Sequence, residues 1–183
     1  MSVALAKGHS NLKKLVVQDY KHTVEQGAAQ LPAELSSRVE FVPHNFFEPQ
    51  PTAGADVYIL RHICHNWSTE NCAKIIQQIV PVLKPNSKIL LVEVVVMPSG
   101  MEESSVAERY MRYEAESALY PVKQLLISSL RNVDVTMLQM LNTQERSEAE
   151  WRDVVSAASP NLELTRIFKP KGSWDSIIEI SLK

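Results

Sequence analysis

Short apolar runs alternate with segments of helical periodicity along the first half of the chain. In four of these runs Val, Ile and Leu are nearly continuous, which is typical of strands covered on both faces, as in parallel sheets. The predicted strands are residues 14–19, 38–42, 56–62 and 87–96. A helical pattern lies between the third and fourth strands, so the sequence predicts a βαβ unit with a parallel strand pair.

The helix of this unit is predicted over residues 68–83. Ser68 is a suitable N-cap, and Glu70 lies in the first turn, where the helix dipole favours negative charge. Apolar residues then recur at helical spacing up to Leu83. Pro81 interrupts the pattern, so we expect a kink there.

The second half of the chain is mainly helical in pattern before it ends in two strands. Helix formers dominate residues 103–142, and Ser147 with Glu150 forms the capping box of a helix over 147–159. Two late apolar runs, residues 162–168 and 174–182, are separated by a turn and predict an antiparallel hairpin.

Composition and charge indicate an ordinary globular protein. The chain has 183 residues, 45% of them hydrophobic, and a net charge of −2, which favours neither nucleic acid nor an anionic membrane surface as a partner. Its two cysteines suggest no disulfide framework. No secretory signal is expected at the start of the chain, and the most apolar window is too short to cross a bilayer. We therefore expect a cytoplasmic protein.

Two histidines lie three residues apart at the end of the third strand. His62 and His65 could be read as metal ligands, but no third Cys or His follows at a ligand spacing, and zinc sites need three or four ligands. In an extended segment, residues three apart also point to opposite faces. The sequence therefore predicts no metal, and His62 is interpreted as structural or pocket-lining.

Several sequence blocks carry a family resemblance. They are HNWSTENCAKII, VLKPNSKILLVE, RNVDVTML, NTQERSEAEW and KPKGSWDSIIE, in that order. With them the chain resembles the catalytic domain of class I S-adenosylmethionine-dependent O-methyltransferases, in the plant caffeate-type and fungal secondary-metabolite branch. The resemblance implies an α/β fold: a Rossmann-like methyltransferase sheet with a C-terminal antiparallel hairpin. It also implies that residues 1–183 are a single, partial catalytic domain.

The resemblance implies a catalytic role for three residues. His65 matches the family's catalytic base, and Glu145 matches the acid that hydrogen-bonds it; Glu145 could equally be a solvated residue before a helix. Glu93 is a candidate second acid. The family's acid stands four residues before the strand-ending proline, where this chain has Val94. A one-residue slip turns a side chain to the other face, so either a bulge restores Glu93 or this acid is missing.

Cofactor and substrate contacts are implied in the same way. Asp19 matches the acid that accepts hydrogen bonds from the cofactor ribose. Asn45 and Phe46 lie where members of the family contact the two faces of the adenine. Arg61 stands at a position that is often basic in the family. Three further residues would line the acceptor pocket, although each is also explained as ordinary helix core: Met137, Leu138 and Met140.

The family pattern also has parts that this chain is expected to lack. They are the first central strand with its Gly-rich loop and the N-terminal dimerisation domain, and their lack would impair S-adenosylmethionine binding. Three arrangements then remain for the strands at 14–19 and 56–62: direct pairing with each other, a strand supplied by another chain, or poor folding alone. The chain could accordingly form a homo- or hetero-oligomer through exposed strand edges.

Three functional hypotheses follow. The first is transfer of a methyl group to a hydroxyl of a small aromatic or polyketide-like metabolite, with His65 as the base. The second keeps His65 as an acid/base in a cofactor-independent cyclisation, dehydration or rearrangement. The third is a catalytically inactive subunit that pairs with a partner.

Overall fold

The computed structural model describes residues 1–96, 145–171 and 173–183. Contacts within the chain group into two compact units, Met1–Thr52 and Ala53–Lys183, which are described separately. The helices are α1 (Ser2–Gly8), α2 (Lys21–Ala29), α3 (Thr69–Gln77) and α4 (Glu148–Ala158). The strands are β1 (Leu15–Asp19), β2 (Val39–Pro43), β3 (Val57–Arg61), β4 (Lys88–Glu93), β5 (Val95–Val96), β6 (Arg146–Ser147), β7 (Leu162–Phe168) and β8 (Ser176–Leu182).

The first unit is a parallel pair of strands with two helices. β1 and β2 pair in register, so that Asp19 stands opposite Pro43 at the carboxyl edge. The guanidinium of Arg38 donates to backbone carbonyls of Ala6, at 2.8 Å, and Leu12, which ties α1 to the start of β2. Gly27 of α2 lies against the ring of Phe41, where a Cβ would come within 2.6 Å of a ring carbon, so the close approach requires glycine.

The second unit contains a four-stranded mixed sheet in the order β3-β4-β8-β7. β3 and β4 are parallel, as the βαβ pattern predicted, while β4–β8 and β7–β8 are antiparallel, which confirms the C-terminal hairpin. On β4, the alternate residues Ile89, Leu91 and Glu93 are buried. The two apolar residues of this set belong to a core that also includes Trp151 of α4.

Three sequence-based expectations differ from the structure in detail. The long predicted helix ends at Gln77, before Pro81, and a short 3-10 helix at Val80–Val82 contains the proline. The strand predicted at 87–96 is divided into β4 and β5 at Val94. β3 is covered on one face only, since Val57 keeps 43% of its surface exposed, so its apolar run was misread as fully buried.

The strands at 14–19 and 56–62 do not pair with each other. β1 belongs to a two-stranded sheet with β2, and β3 belongs to the four-stranded sheet, where it is an edge strand. Direct pairing, one of the three arrangements considered from the sequence, is therefore wrong. Within the described ranges, no helix is both long and apolar enough to cross a membrane.

The capping box at the start of α4 gives a test of local stability. The Ser147 hydroxyl accepts from the backbone N–H of Glu150, while the Glu150 carboxylate accepts from the backbone N–H of Ser147 at 2.8 Å. We expect Ser147→Ala to lower the free energy of unfolding by about 1 kcal/mol, the typical contribution of an N-cap. Urea unfolding followed by Trp fluorescence measures the change.

The matched control is Ser156→Ala, on the exposed face of the same helix. Alanine has the higher helix propensity, so this variant is expected to be neutral or slightly more stable. Equal losses in both variants would contradict the role given to the cap.

Candidate active site

The site begins at an unusual backbone turn after β3. His62 has a positive φ of 52°, in the left-handed region that histidine adopts more readily than most residues. Its N–H still donates to the Val92 carbonyl of β4 at 3.1 Å, and its carbonyl accepts from the Asn66 side chain at 3.2 Å. A 3-10 turn at Cys64–Asn66 follows directly and carries His65.

His65 pairs with an acid that comes from the other half of the chain. Its Nδ1 lies 3.4 Å from Oε1 of Glu145, and the Glu145 side chain is only 8% exposed. This hydrogen bond raises the pKa of His65, against the opposing effect of burial, and the charge of Glu93 adds to the increase. Such contacts are often long before a substrate is bound. The pair has the arrangement of a base held in one orientation by a carboxylate.

Glu93 lies at the buried end of β4, next to the turn that carries His65. Its Oε1 accepts from the backbone N–H groups of Ile63, at 3.1 Å, and Cys64, at 2.9 Å. Its Oε2 is buried and has no hydrogen-bond partner among the residues that the structure describes. Burial raises the pKa of this carboxyl group. Regular pairing of β4 with β8 ends at Glu93, whose side chain is buried, and the chain leaves the strand at Val94. The role of Glu93 as the family's second acid stays a prediction.

Arg146 holds the same turn from the opposite side. It is 2% exposed, and its guanidinium donates to the carbonyls of Cys64, at 3.1 Å, and Trp67, at 2.6 Å, while stacking 5.2 Å above the Trp151 ring. The Cys72 thiol also donates to the Cys64 carbonyl. The backbone N–H of Cys64 is therefore held by a buried carboxylate and its C=O by a buried guanidinium, which fixes the neighbouring His65.

His62 does not point away from His65, so the sequence argument from opposite faces was wrong. That argument assumed an extended segment, whereas the left-handed residue and the 3-10 turn bring the two rings to a centroid distance of 5.3 Å. Nε2 of His62 lies 3.1 Å from Oδ2 of Asp175. The same carboxylate oxygen lies 3.7 Å from Arg61, whose side chain is half exposed.

The residues assigned to the cofactor divide between the two units. Asp19 and Asn45 lie at the carboxyl edge of the β1–β2 sheet, where the His44 N–H donates to the Asp19 carbonyl. The Asp19 carboxylate is exposed and accepts from the Tyr20 N–H at 2.7 Å. Asn45 Oδ1 accepts from the Phe47 N–H, and the rings of Phe46 and Phe47 lie 5.0 Å apart. Arg61 belongs to the second unit.

The three residues assigned to the acceptor pocket lie outside the described residues, and the structure does not bear on that prediction. They are Met137, Leu138 and Met140.

Sequence reasoning missed the roles of two residues. Arg146 is adjacent to Glu145 and directly precedes a capping box, so a backbone-anchoring role could have been considered from its position. Asp175 precedes the last strand, more than 100 positions from His62, and offered no local signal. The contact of Asp175 with His62 follows from the pairing of β8 with β4, which brings the start of β8 beside the end of β4.

Comparison of the sequence with models of known protein families identifies the family of this chain. The O-methyltransferase domain matches residues 4–159. The chain belongs to this family. O-methyltransferase aoiF of Aspergillus oryzae is 35% identical to it, in an alignment that covers 99% of the chain and 39% of the relative. The chain therefore spans about 40% of the length of this curated relative.

Solved structures support the methyltransferase fold of the chain. LepI in complex with SAM has a TM-score of 0.76 and 23% identity, covering 99% of this chain and 39% of that one. NcsB1, an O-methyltransferase from neocarzinostatin biosynthesis, was solved with S-adenosyl-L-homocysteine and 1,4-dihydroxy-2-naphthoic acid; it has a TM-score of 0.71 and 24% identity, covering 98% of this chain and 45% of that one. The sheet with its C-terminal antiparallel hairpin is therefore the one expected from the resemblance.

Proposed function

We propose that this chain is the catalytic part of an S-adenosylmethionine-dependent O-methyltransferase acting on a hydroxyl of a small aromatic or polyketide-like metabolite. The observation that carries the proposal is the contact of His65 with Glu145, whose side chain is 8% exposed, next to the buried Glu93. Relatives that are named O-methyltransferases, such as aoiF, support the same activity.

His65 would act as the general base. An alcohol or phenol is a better nucleophile as its anion, and an imidazole removes that proton near neutral pH. Glu145 would hold the ring in one tautomer and stabilise the imidazolium once the proton has moved to His65. Glu93 and Arg146 would keep the backbone of the turn in place through their hydrogen bonds at Cys64.

The residues present fit the nucleoside part of the cofactor. An exposed carboxylate at the carboxyl end of a parallel strand, such as Asp19, suits the two neighbouring hydroxyls of a ribose. Asn45 and Phe46 lie at the same edge and offer an amide and an aromatic face for a base. When bound, the cofactor supplies an electrophilic methyl group on a sulfonium.

Cofactor binding tests the proposal directly. Isothermal titration of the purified chain with S-adenosylmethionine should show saturable binding, and Asp19→Asn should weaken it about 10-fold, because a hydrogen bond to a charged acceptor contributes roughly 1.5–3 kcal/mol. Asp153→Asn, at an exposed position of α4, is the matched control and should bind as the unchanged chain does.

Absence of binding at millimolar cofactor would contradict the proposal for the chain alone. Incubation with 1,4-dihydroxy-2-naphthoic acid, the ligand seen in NcsB1, then serves as a first assay of methyl transfer. Conversion of this compound without cofactor, lost in His65→Gln, would instead support the cofactor-independent reaction. A chain that neither binds the cofactor nor converts the compound would support the inactive subunit.

A further inference from the structure

Three ligand side chains converge beside the proposed base. One ligand atom each of His62, His65 and Glu93 lies within 4.8 Å of the others. The sequence analysis considered the two histidines as a pair but did not join Glu93 to them, because Glu93 comes from the neighbouring strand and the histidine rings were expected on opposite faces. Two imidazoles and one carboxylate are a set that zinc and other divalent transition metals bind, whereas Mg²⁺ and Ca²⁺ prefer oxygen ligands alone.

The surroundings of the two histidines match those of metal-bound histidines. Metal-ligating imidazoles almost always have their second ring nitrogen held by a carboxylate, carbonyl or water, which fixes ring orientation. His62 contacts Asp175 through Nε2, and His65 contacts Glu145 through Nδ1. Each histidine therefore has a carboxylate that fixes the orientation of its ring.

Glu93 gives the second, independent indication of a ligand. It is completely buried, and its Oε2 has no hydrogen-bond partner within the described ranges, although Oε1 accepts two backbone N–H bonds. A buried polar atom without a partner is unfavourable, and more so when it is charged. A cation bound by this carboxylate would remove that cost.

We propose that His62, His65 and Glu93 form a binding site for a divalent transition-metal ion such as Zn²⁺. Metal–ligand bonds of about 2.0–2.1 Å place tetrahedral ligand atoms about 3.4 Å apart, so the side chains close by roughly 1 Å on binding. His62 supplies most of this adjustment, because its side chain is 35% exposed, and it also gives the ion a path from solvent.

The site has a functional consequence that rests on the proposed methyltransferase reaction. An ion on His65 occupies the lone pair that would accept the proton of the acceptor hydroxyl. Bound metal is therefore expected to inhibit methyl transfer reversibly, with activity restored by a chelator. Metal binding itself is measured without cofactor or acceptor, so its failure is distinguishable from failure of the proposed function.

The experiment is a titration of the full chain, freed of metal with EDTA, with chelator-buffered Zn²⁺. We expect one ion per chain with micromolar or tighter affinity. His62→Asn should weaken binding at least about 10-fold, and Asp175→Asn about 10- to 100-fold, the usual effect of removing a carboxylate that orients a ligating histidine. Asparagine tolerates the left-handed backbone at position 62, so this variant is expected to fold.

His22→Ala is the matched control, since His22 is exposed on α2 in the first unit, and it should bind Zn²⁺ as the unchanged chain does. Circular dichroism of each variant checks its fold. The proposal is overturned if folded His62→Asn and Asp175→Asn bind Zn²⁺ like the unchanged chain, or if that chain binds none.

Discussion

Replacing His65 by glutamine is expected to lower the rate of methyl transfer by about 10²- to 10⁴-fold, the usual contribution of a positioned general base. Glutamine keeps a polar side chain of similar reach but cannot take a proton from the acceptor hydroxyl. Cofactor binding should change little, because His65 acts on the acceptor. Product formation under saturating cofactor, compared at matched acceptor concentration, measures the effect.

His22→Gln is the matched control and should keep full activity, since the His22 ring is exposed on α2 and contacts the hydroxyl of its neighbour Thr23. Glu145→Gln should have an intermediate effect, because it removes the charge that stabilises the imidazolium while keeping a hydrogen-bonding group at that position. If the His65→Gln variant transferred methyl groups at an unchanged rate, His65 would not be the general base, whatever the cofactor affinity of the variant.

Replacing Arg146 by methionine is expected to lower the free energy of unfolding by roughly 3–5 kcal/mol, a large part of the stability of an ordinary domain. The substitution takes the charged donor away from the buried Cys64 carbonyl and from the Trp67 carbonyl, and each hydrogen bond to a charged group contributes about 1.5–3 kcal/mol. Because methionine fills a similar volume, the decrease in the free energy of unfolding measures the loss of the polar contacts of Arg146. Urea unfolding monitored by Trp fluorescence measures it.

Arg166→Met provides the comparison for Arg146→Met. Its side chain is 69% exposed and pairs with Glu179 at 3.0 Å on the sheet surface. Exposed ion pairs contribute about 0–1 kcal/mol, so this variant should unfold almost as the unchanged chain does. If both variants lost the same stability, the buried position of Arg146 would not be the cause.

Much of the fold follows from local pattern in the sequence. The βαβ unit, the C-terminal hairpin and the Ser147 cap each depend on residues near one another in the chain, and each is found. Pro81 was placed inside a helix, because periodicity continued past Gln77, but the missing N–H of proline ended the regular helix earlier. One-sided burial of β3 could not be read from its apolar run, because composition does not report what lies against a strand.

The candidate site was predictable only in part. His65 and Glu145 were found through the family resemblance, which supplies a pairing that 80 positions of sequence separation would otherwise hide. The position of His62 depends on one left-handed residue, and no residue pattern distinguishes that turn from an extended strand end. Asp175 reaches His62 only because the last strand returns to the centre of the sheet.

Glu145, Arg146 and Ser147 are consecutive, and each is tied to a different structure: the His65 ring, the turn at Cys64, and the start of α4. β6, which contains two of them, also pairs with β5. Glu145 is thus followed directly by two residues that are each anchored by their own hydrogen bonds. A change that loosens the start of α4 is therefore expected to shift the acid relative to the His65 ring as well. The stability of this helix end is in that way coupled to the proposed proton transfer.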